Sequence, residues 1–230
     1  MNTSKELLKG KKIAFLGDSI TLGYGLENRE DRFSTVTSKM LGAIEENYGI
    51  TGTLVARAGL NNSDDNAYID RVHLVDNADY IVIFGGTNDY FWSDCKIAPE
   101  DVNETDEKYF TVAVDHIIEH CKEVNDASNI LIVTPYPHHG IGNFLGGADF
   151  KDKSEHDTSE LNYNGHHIGE YAEYLVKAAT EAGVNILDLY TDSDFVWQEL
   201  TSDGCHPNPK GHIWLAERVA AKLLSMAEGK

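Results

Sequence analysis

The sequence predicts an α/β fold: a parallel sheet with helices on both of its faces. Three observations carry this. Short apolar runs that read as buried strands recur along the whole chain. Stretches with helical spacing separate them, and buried strands joined by helices belong to parallel sheets covered on both sides. Each apolar run also ends in a Gly-, Asn- or Pro-containing turn. Right-handed crossovers then bring the loops that follow the strands to one rim.

The first strand is Lys12-Ile13-Ala14-Phe15-Leu16. Gly17 permits a tight turn after it, and Ser19 then stands on a corner at the strand's C-terminal end, where open α/β sheets place reactive groups. Thr21 to Arg32 is a Gly-rich polar loop. Phe33, Val36, Met40, Leu41 and Ile44 fit one face of a helix over 33–48 that Gly49 stops. Thr53 to Ala56 reads as the second strand, ending in a loop that carries Gly59. Asp64 or Asp65 can cap a helix running to about Val75. Asp79 to Phe84 is the third strand, followed by Gly85-Gly86-Thr87-Asn88-Asp89. A helix is expected near 105–124, and a fourth strand over 129–134 ends at Pro135-Tyr136-Pro137. Residues 138–164 are polar and Gly-rich with little periodicity, a length typical of a binding loop, a lid or a surface insertion. A helix over 166–182, a fifth strand over 184–189 and a short helix near 194–200 follow. Asn208 as cap and Pro209 in the first turn open a last helix.

The chain has 230 residues, 41% of them hydrophobic, enough for one core. A single domain over 1–230 is expected, with an insertion at 138–164. The formal net charge of -19 disfavours phosphate backbones and anionic membranes, so nucleic acid is not an expected partner. Cys95, Cys121 and Cys205 form no Cys-x-x-Cys pair, which argues against a disulfide framework or a thiolate zinc site. The paired histidines, His138-His139 and His166-His167, lack a ligand geometry that would make a metal site the better reading. Residues 1–12 lack the apolar segment of a signal peptide, and no run reaches the ~20 apolar residues of a spanning helix. Cytoplasmic placement is the default expectation, with secretion after signal removal left open; stable membrane insertion is not expected. Oligomeric state is not legible.

A serine becomes a nucleophile when a base reaches it, and acyl transfer further needs an orienting carboxylate and oxyanion donors. Asp203-x-x-His206 supplies base and carboxylate: in a non-helical turn, three residues suffice to bring a carboxylate onto one imidazole nitrogen. Gly204 permits the bend, and Pro207 keeps His206 extended. Gly59 offers a backbone N–H at the end of the second strand, and Asn88 a side-chain amide at the end of the third.

These residues, in this order, resemble the SGNH hydrolases, also called GDSL esterases and lipases. Gly17-Asp18-Ser19-Ile20-Thr21 matches the first block, Gly59 the second-block glycine, Asn88 in Gly86-Thr87-Asn88-Asp89 the third-block asparagine, and Asp203-Gly204-Cys205-His206-Pro207 the last. Ile20 stands where the GDSL name has Leu. The resemblance implies a three-layer, flavodoxin-like sheet with strand order 2-1-3-4-5. It implies Ser19 as nucleophile, His206 as base and Asp203 as orienting acid. The oxyanion would meet the Ser19 and Gly59 backbone N–H groups and the Asn88 side chain. No metal or organic cofactor is required. The α/β-hydrolases share the order Ser, Asp, His, but their Ser lies mid-chain in Gly-x-Ser-x-Gly.

The expected activity is hydrolysis of a small carboxylic ester, short-chain or acetyl, with esters on carbohydrates among the candidates. Tyr90, Phe91 and Trp92 can wall the pocket. Other readings stay open: a lysophospholipase or lipase, a flavodoxin-like module that binds flavin or phosphate, and a non-catalytic sugar-binding relative.

Overall fold

The computed structural model describes residues 3–58, 66–91, 95–98, 102–138, 161–162, 164–192 and 194–229. In chain order its elements are α1 (Thr3–Leu8), β1 (Lys12–Gly17), α2 (Ser19–Leu22), α3 (Phe33–Leu41), β2 (Ile44–Gly49), α4 (Tyr68–Arg71), β3 (Tyr80–Phe84), α5 (Thr87–Phe91), α6 (Phe110–Val124), β4 (Ile130–Val133), α7 (Ile168–Ala182), β5 (Asn185–Leu187), α8 (Trp197–Leu200) and α9 (Pro209–Glu228). The strands form one parallel sheet in the order β2-β1-β3-β4-β5. This is the α/β/α fold and strand order expected.

Successive side chains of a strand face opposite ways, and the core divides accordingly. Ala14, Leu16, Ile81, Ile83, Ile130 and Ile132 pack in one cluster with residues of α4, α6 and α7. Ile13, Phe15, Tyr80, Val82, Leu131 and Val133 pack in the other with α1, α3 and α9. The central strands are therefore apolar at every position, which is why they were legible as continuous runs.

The second strand is not where the sequence pattern placed it. The helix expected over 33–48 ends at Leu41, with Gly42 as its cap, and Ile44–Gly49 is β2. This edge strand, Ile-Glu-Glu-Asn-Tyr-Gly, is polar because its side chains have partners there. Glu45 takes hydrogen bonds from Arg32 Nε at 3.0 Å and Thr35 Oγ1 at 2.7 Å. Glu46 pairs with Lys12 at 3.1 Å, and Asn47 Nδ2 donates to the Thr21 carbonyl at 2.7 Å.

Thr53–Ala56, expected as that strand, is buried but stands outside the sheet. Its backbone is satisfied elsewhere. The Val55 and Ala56 N–H groups donate to the Asp89 carboxylate at 3.0 and 3.1 Å. The Leu54 and Val55 carbonyls accept from Tyr68 and Ile69 at 2.9 and 3.3 Å. Other expectations shift or lie outside the described residues. The helix expected from 105 begins at Phe110. The one expected to reach Val75 is α4 followed by a 3₁₀ turn over Val72–Val75, with the predicted caps Asp64 and Asp65 outside the described residues. Of the 138–164 stretch, only His138, 161–162 and Asn164 are described. Asn208 caps α9 as predicted, its Oδ1 accepting from Lys210 N and Gly211 N. No helix among the described residues is long and apolar enough to cross a membrane.

One contact between α9 and α3 makes stability depend on pH. His212 is fully buried, and its Nδ1 accepts the Phe33 N–H at 3.1 Å. An accepting Nδ1 carries no proton, so the ring is neutral. Burial, and then the nearby His206, pushes its pKa down from 6.5 to about 4. On acidification from pH 7.5 to 4.5 the unfolded chain binds a proton at this residue and the folded chain does not. That removes roughly 2.5 kcal/mol of stability. Asp18 and Asp89, raised to about 6 mainly by burial, act with the opposite sign over the same range. The comparison of wild type with His212→Asn isolates the histidine. By denaturant unfolding, the cost of that substitution should shrink by about 2.5 kcal/mol between pH 7.5 and 4.5; an equal cost at both would show that His212 titrates normally.

Candidate active site

The site is assembled at the C-terminal ends of the strands. β1 ends at Gly17, where an added Cβ would collide with Thr21 Oγ1, so the close return of α2 onto the strand requires glycine. Asp18 caps α2, its Oδ1 accepting the Ile20 N–H at 2.8 Å. This puts Ser19 on the first residue of α2, 6% exposed. Arg71, itself 5% exposed, ties the corner down from below. Its guanidinium donates to the carbonyls of Gly17 and Tyr48, at the ends of β1 and β2, and to Thr53 Oγ1.

The other half comes from the turn between α8 and α9. Thr201 and Pro207 form an antiparallel bridge across it. Gly204 lies at φ +88°, a left-handed conformation that glycine adopts without strain. Asp203 Oδ1 accepts the backbone N–H groups of Cys205 and His206 at 3.0 and 2.7 Å. Asp203 Oδ2 lies 2.7 Å from His206 Nδ1. Tyr136, fully buried at the end of β4, donates its hydroxyl to the Cys205 carbonyl at 2.6 Å and holds the turn from below.

The two halves meet: Ser19 Oγ lies 3.0 Å from His206 Nε2 across 187 residues of sequence. Burial raises the Asp203 pKa, but the hydrogen bonds from His206 outweigh it and hold the carboxyl down at about 2. An ionised Asp203 keeps the His206 proton on Nδ1, which leaves Nε2 to accept from the serine hydroxyl. His206 is 8% exposed, so this chain of contacts is largely screened from water.

Asn88 sits on α5 directly after β3, beside Asp18. Its Nδ2 donates to the Thr53 carbonyl at 3.0 Å and lies 3.4 Å from Asp18 Oδ2. Its amide is thus held between the Thr53 carbonyl and Asp18, the residue before Ser19. Gly59 lies outside the described residues. The stretch leading to it is held by Asp89, whose carboxylate also accepts from Cys95 Sγ at 3.3 Å.

The pocket wall expected at 90–92 has another job in part. Tyr90 is buried, with its ring 6.1 Å from that of Tyr171. Phe91 packs against His138 at 5.9 Å, and Trp92 lies outside the described residues. The second histidine pair serves a helix terminus: Glu170 of α7 accepts from the His167 N–H and contacts His166 Nδ1, both at 2.8 Å. His138 Nε2 contacts Thr87 Oγ1 at 3.0 Å, and His139 is outside the described residues.

Sequence reasoning missed Arg71, Tyr136, Asp89 and Tyr24. Tyr136 and Asp89 had a local signal, an aromatic between two prolines after a strand and an acid beside Asn88. Arg71 had none, because its three acceptors around the corner come from separate segments. Tyr24 stands in what read as a polar loop, and its ring centroid lies 4.7 Å from that of His206.

A model of the GDSL-like lipase/acylhydrolase family matches residues 15–213. Among proteins of known description, the chain is 28% identical over 119 residues to the human isoamyl acetate-hydrolyzing esterase 1 homolog. That match spans 46% of this chain and 44% of the human protein, so the chain spans less than half of that relative. A solved structure from Lactobacillus plantarum is 23% identical with a TM-score of 0.71, covering 96% of this chain and 98% of the other. The structure of the lipase/acylhydrolase from Enterococcus faecalis is 17% identical with a TM-score of 0.61, covering 94% and 96%. At these identities both structures report on the fold.

Proposed function

Taking as premise that this chain belongs to the GDSL-like lipase/acylhydrolase family, we propose that it hydrolyses a carboxylic ester through an acyl-enzyme on Ser19. The observation that carries this is the continuous chain Ser19–His206–Asp203, with contacts of 3.0 and 2.7 Å. His206 takes the hydroxyl proton as Ser19 Oγ bonds to the ester carbon, and the carbonyl electrons move to oxygen. The tetrahedral oxyanion is met by the Ser19 and Gly59 backbone N–H groups and the Asn88 amide. Collapse breaks the C–O bond to the alcohol, whose oxygen receives the proton from His206. Water, deprotonated by the same imidazole, then attacks the acyl-enzyme and releases the acid and free Ser19.

The substrate favoured is a short-chain or acetyl ester, with esters on sugars included. The described name of the human relative concerns an acetate ester, which supports a short acyl group. The net charge of -19 weighs against an anionic lipid surface as the place of action. A binding module without hydrolysis would leave the Asp203–His206 pair without a task.

A fluorophosphonate probe tests the reading directly. It should label the protein at Ser19, and Ser19→Ala should abolish the label. Labelling that survives the substitution would refute the assignment. In the same framework Asn88→Ala removes one oxyanion donor, and kcat on an acetyl ester should fall about 100- to 1,000-fold. A drop below tenfold would place the oxyanion elsewhere.

A further inference from the structure

We propose that Tyr24 is the wall of the leaving-group subsite and selects the alcohol half of the ester. The proposal rests on the esterase reading above. When the C–O bond breaks, the proton on His206 Nε2 passes to the alcohol oxygen. That oxygen must therefore lie within hydrogen-bond reach of Nε2, and the rest of the alcohol must run outward past the imidazole. The Tyr24 ring stands beside that imidazole. Its centroid lies 4.7 Å from the imidazole centroid, with the planes tilted by 45°.

Two features separate this ring from ordinary packing. The first is exposure. Tyr136 and Tyr90, the tyrosines that follow β4 and β3, are 0% and 8% exposed, whereas Tyr24 is 42% exposed beside a histidine and a serine that are nearly buried. The second is its tether. The Tyr24 N–H donates to the Ser19 carbonyl at 2.9 Å, so the backbone that carries the ring is tied to the residue of the nucleophile. An aromatic surface is thus held beside the point where the alcohol departs.

The stereochemistry at the reacting carbon divides the ester's two halves. The alcohol oxygen faces His206, the oxyanion faces the Asn88 side, and the acyl chain takes the remaining direction. Tyr24 therefore meets the alcohol and leaves the acyl chain alone. A tyrosine face takes C–H groups of an aliphatic or sugar ring. The acidic surface disfavours alcohols that carry phosphate or carboxylate. The class expected is an uncharged alcohol with a broad C–H face.

The test compares two ester series on the wild type, Tyr24→Phe and Tyr24→Ala. In one, the acyl group is always acetyl and the alcohol runs from methyl to cyclohexyl. In the other, the alcohol is always p-nitrophenol and the acyl group runs from acetyl to hexanoyl. Tyr24→Ala should lower the cyclohexyl-to-methyl ratio of kcat/KM by roughly five- to tenfold, the effect of losing apolar contact over one ring face. It should leave the hexanoyl-to-acetyl ratio unchanged, and Tyr24→Phe should keep both ratios. An alcohol ratio unmoved by Tyr24→Ala, an equal loss on every ester, or a changed acyl ratio would each overturn the subsite. Those outcomes leave the esterase reading standing, because wild-type turnover and probe labelling of Ser19 report on it separately.

Discussion

Ser19→Ala is expected to lower kcat on an acetyl ester by about a millionfold, measured in a purified preparation with a discontinuous product assay. The magnitude follows from the geometry. Without Oγ no acyl-enzyme forms, and His206 is left 3.0 Å from where the nucleophile was. The remaining donors can still polarise a carbonyl and water can still approach, so a residual rate of about 10³–10⁴ over the uncatalysed reaction should remain. The Ser19 hydroxyl hydrogen-bonds with His206, and the place of the residue at the start of α2 is set by Asp18. The variant should therefore unfold at nearly the wild-type temperature. A loss of less than a hundredfold in a folded variant would show that another group carries the reaction.

Asp203→Asn should lower kcat by about 10³- to 10⁴-fold, with the fold intact. Asp203 makes two kinds of contact. One oxygen accepts from the Cys205 and His206 backbone, and the other from His206 Nδ1. An asparagine must place its carbonyl oxygen on the two backbone donors. Its NH₂ then faces Nδ1, which can meet a donor only by giving up its proton. The proton moves to Nε2, and the imidazole presents a donor to Ser19 where it needs an acceptor. The pH profile supplies a second check. With Asp203 held down at about 2, its ionisation should not limit activity anywhere between pH 4 and 9. Its proton uptake, near pH 2, should remove the contact to His206 that the asparagine removes. Near-wild-type turnover by Asp203→Asn would remove this carboxylate from the mechanism.

The legible parts of the chain were those whose cause is local. β3 and β4, and β1 from Ile13 to Leu16, are covered on both faces, so these positions are apolar without a break. Asp203 and His206 meet within one turn, where Gly204 and Pro207 shape the backbone, and spacing alone was enough to suggest their contact. The α9 cap was visible as Asn208-Pro209 for the same reason. β2 was illegible because its polar residues are explained only by partners elsewhere, among them Arg32 and Lys12. Thr53–Ala56 misled in the opposite sense. It is apolar and buried, yet its N–H groups go to Asp89 rather than to a neighbouring strand.

The sequence by itself determined the layered α/β plan, the strand-end position of Ser19, and the pairing of a carboxylate with an imidazole near the C-terminus. Periodicity and turn chemistry act over a few residues, and one chain displays them openly. The tertiary structure alone decided that Ser19 and His206 touch, that Arg71 ties the corner beside them, and that Tyr24 lies against the imidazole. Those contacts depend on how parallel strands order themselves and how helices pack behind them. A contact spanning 187 residues has no local signature, because the sheet and not the intervening sequence brings its two ends together.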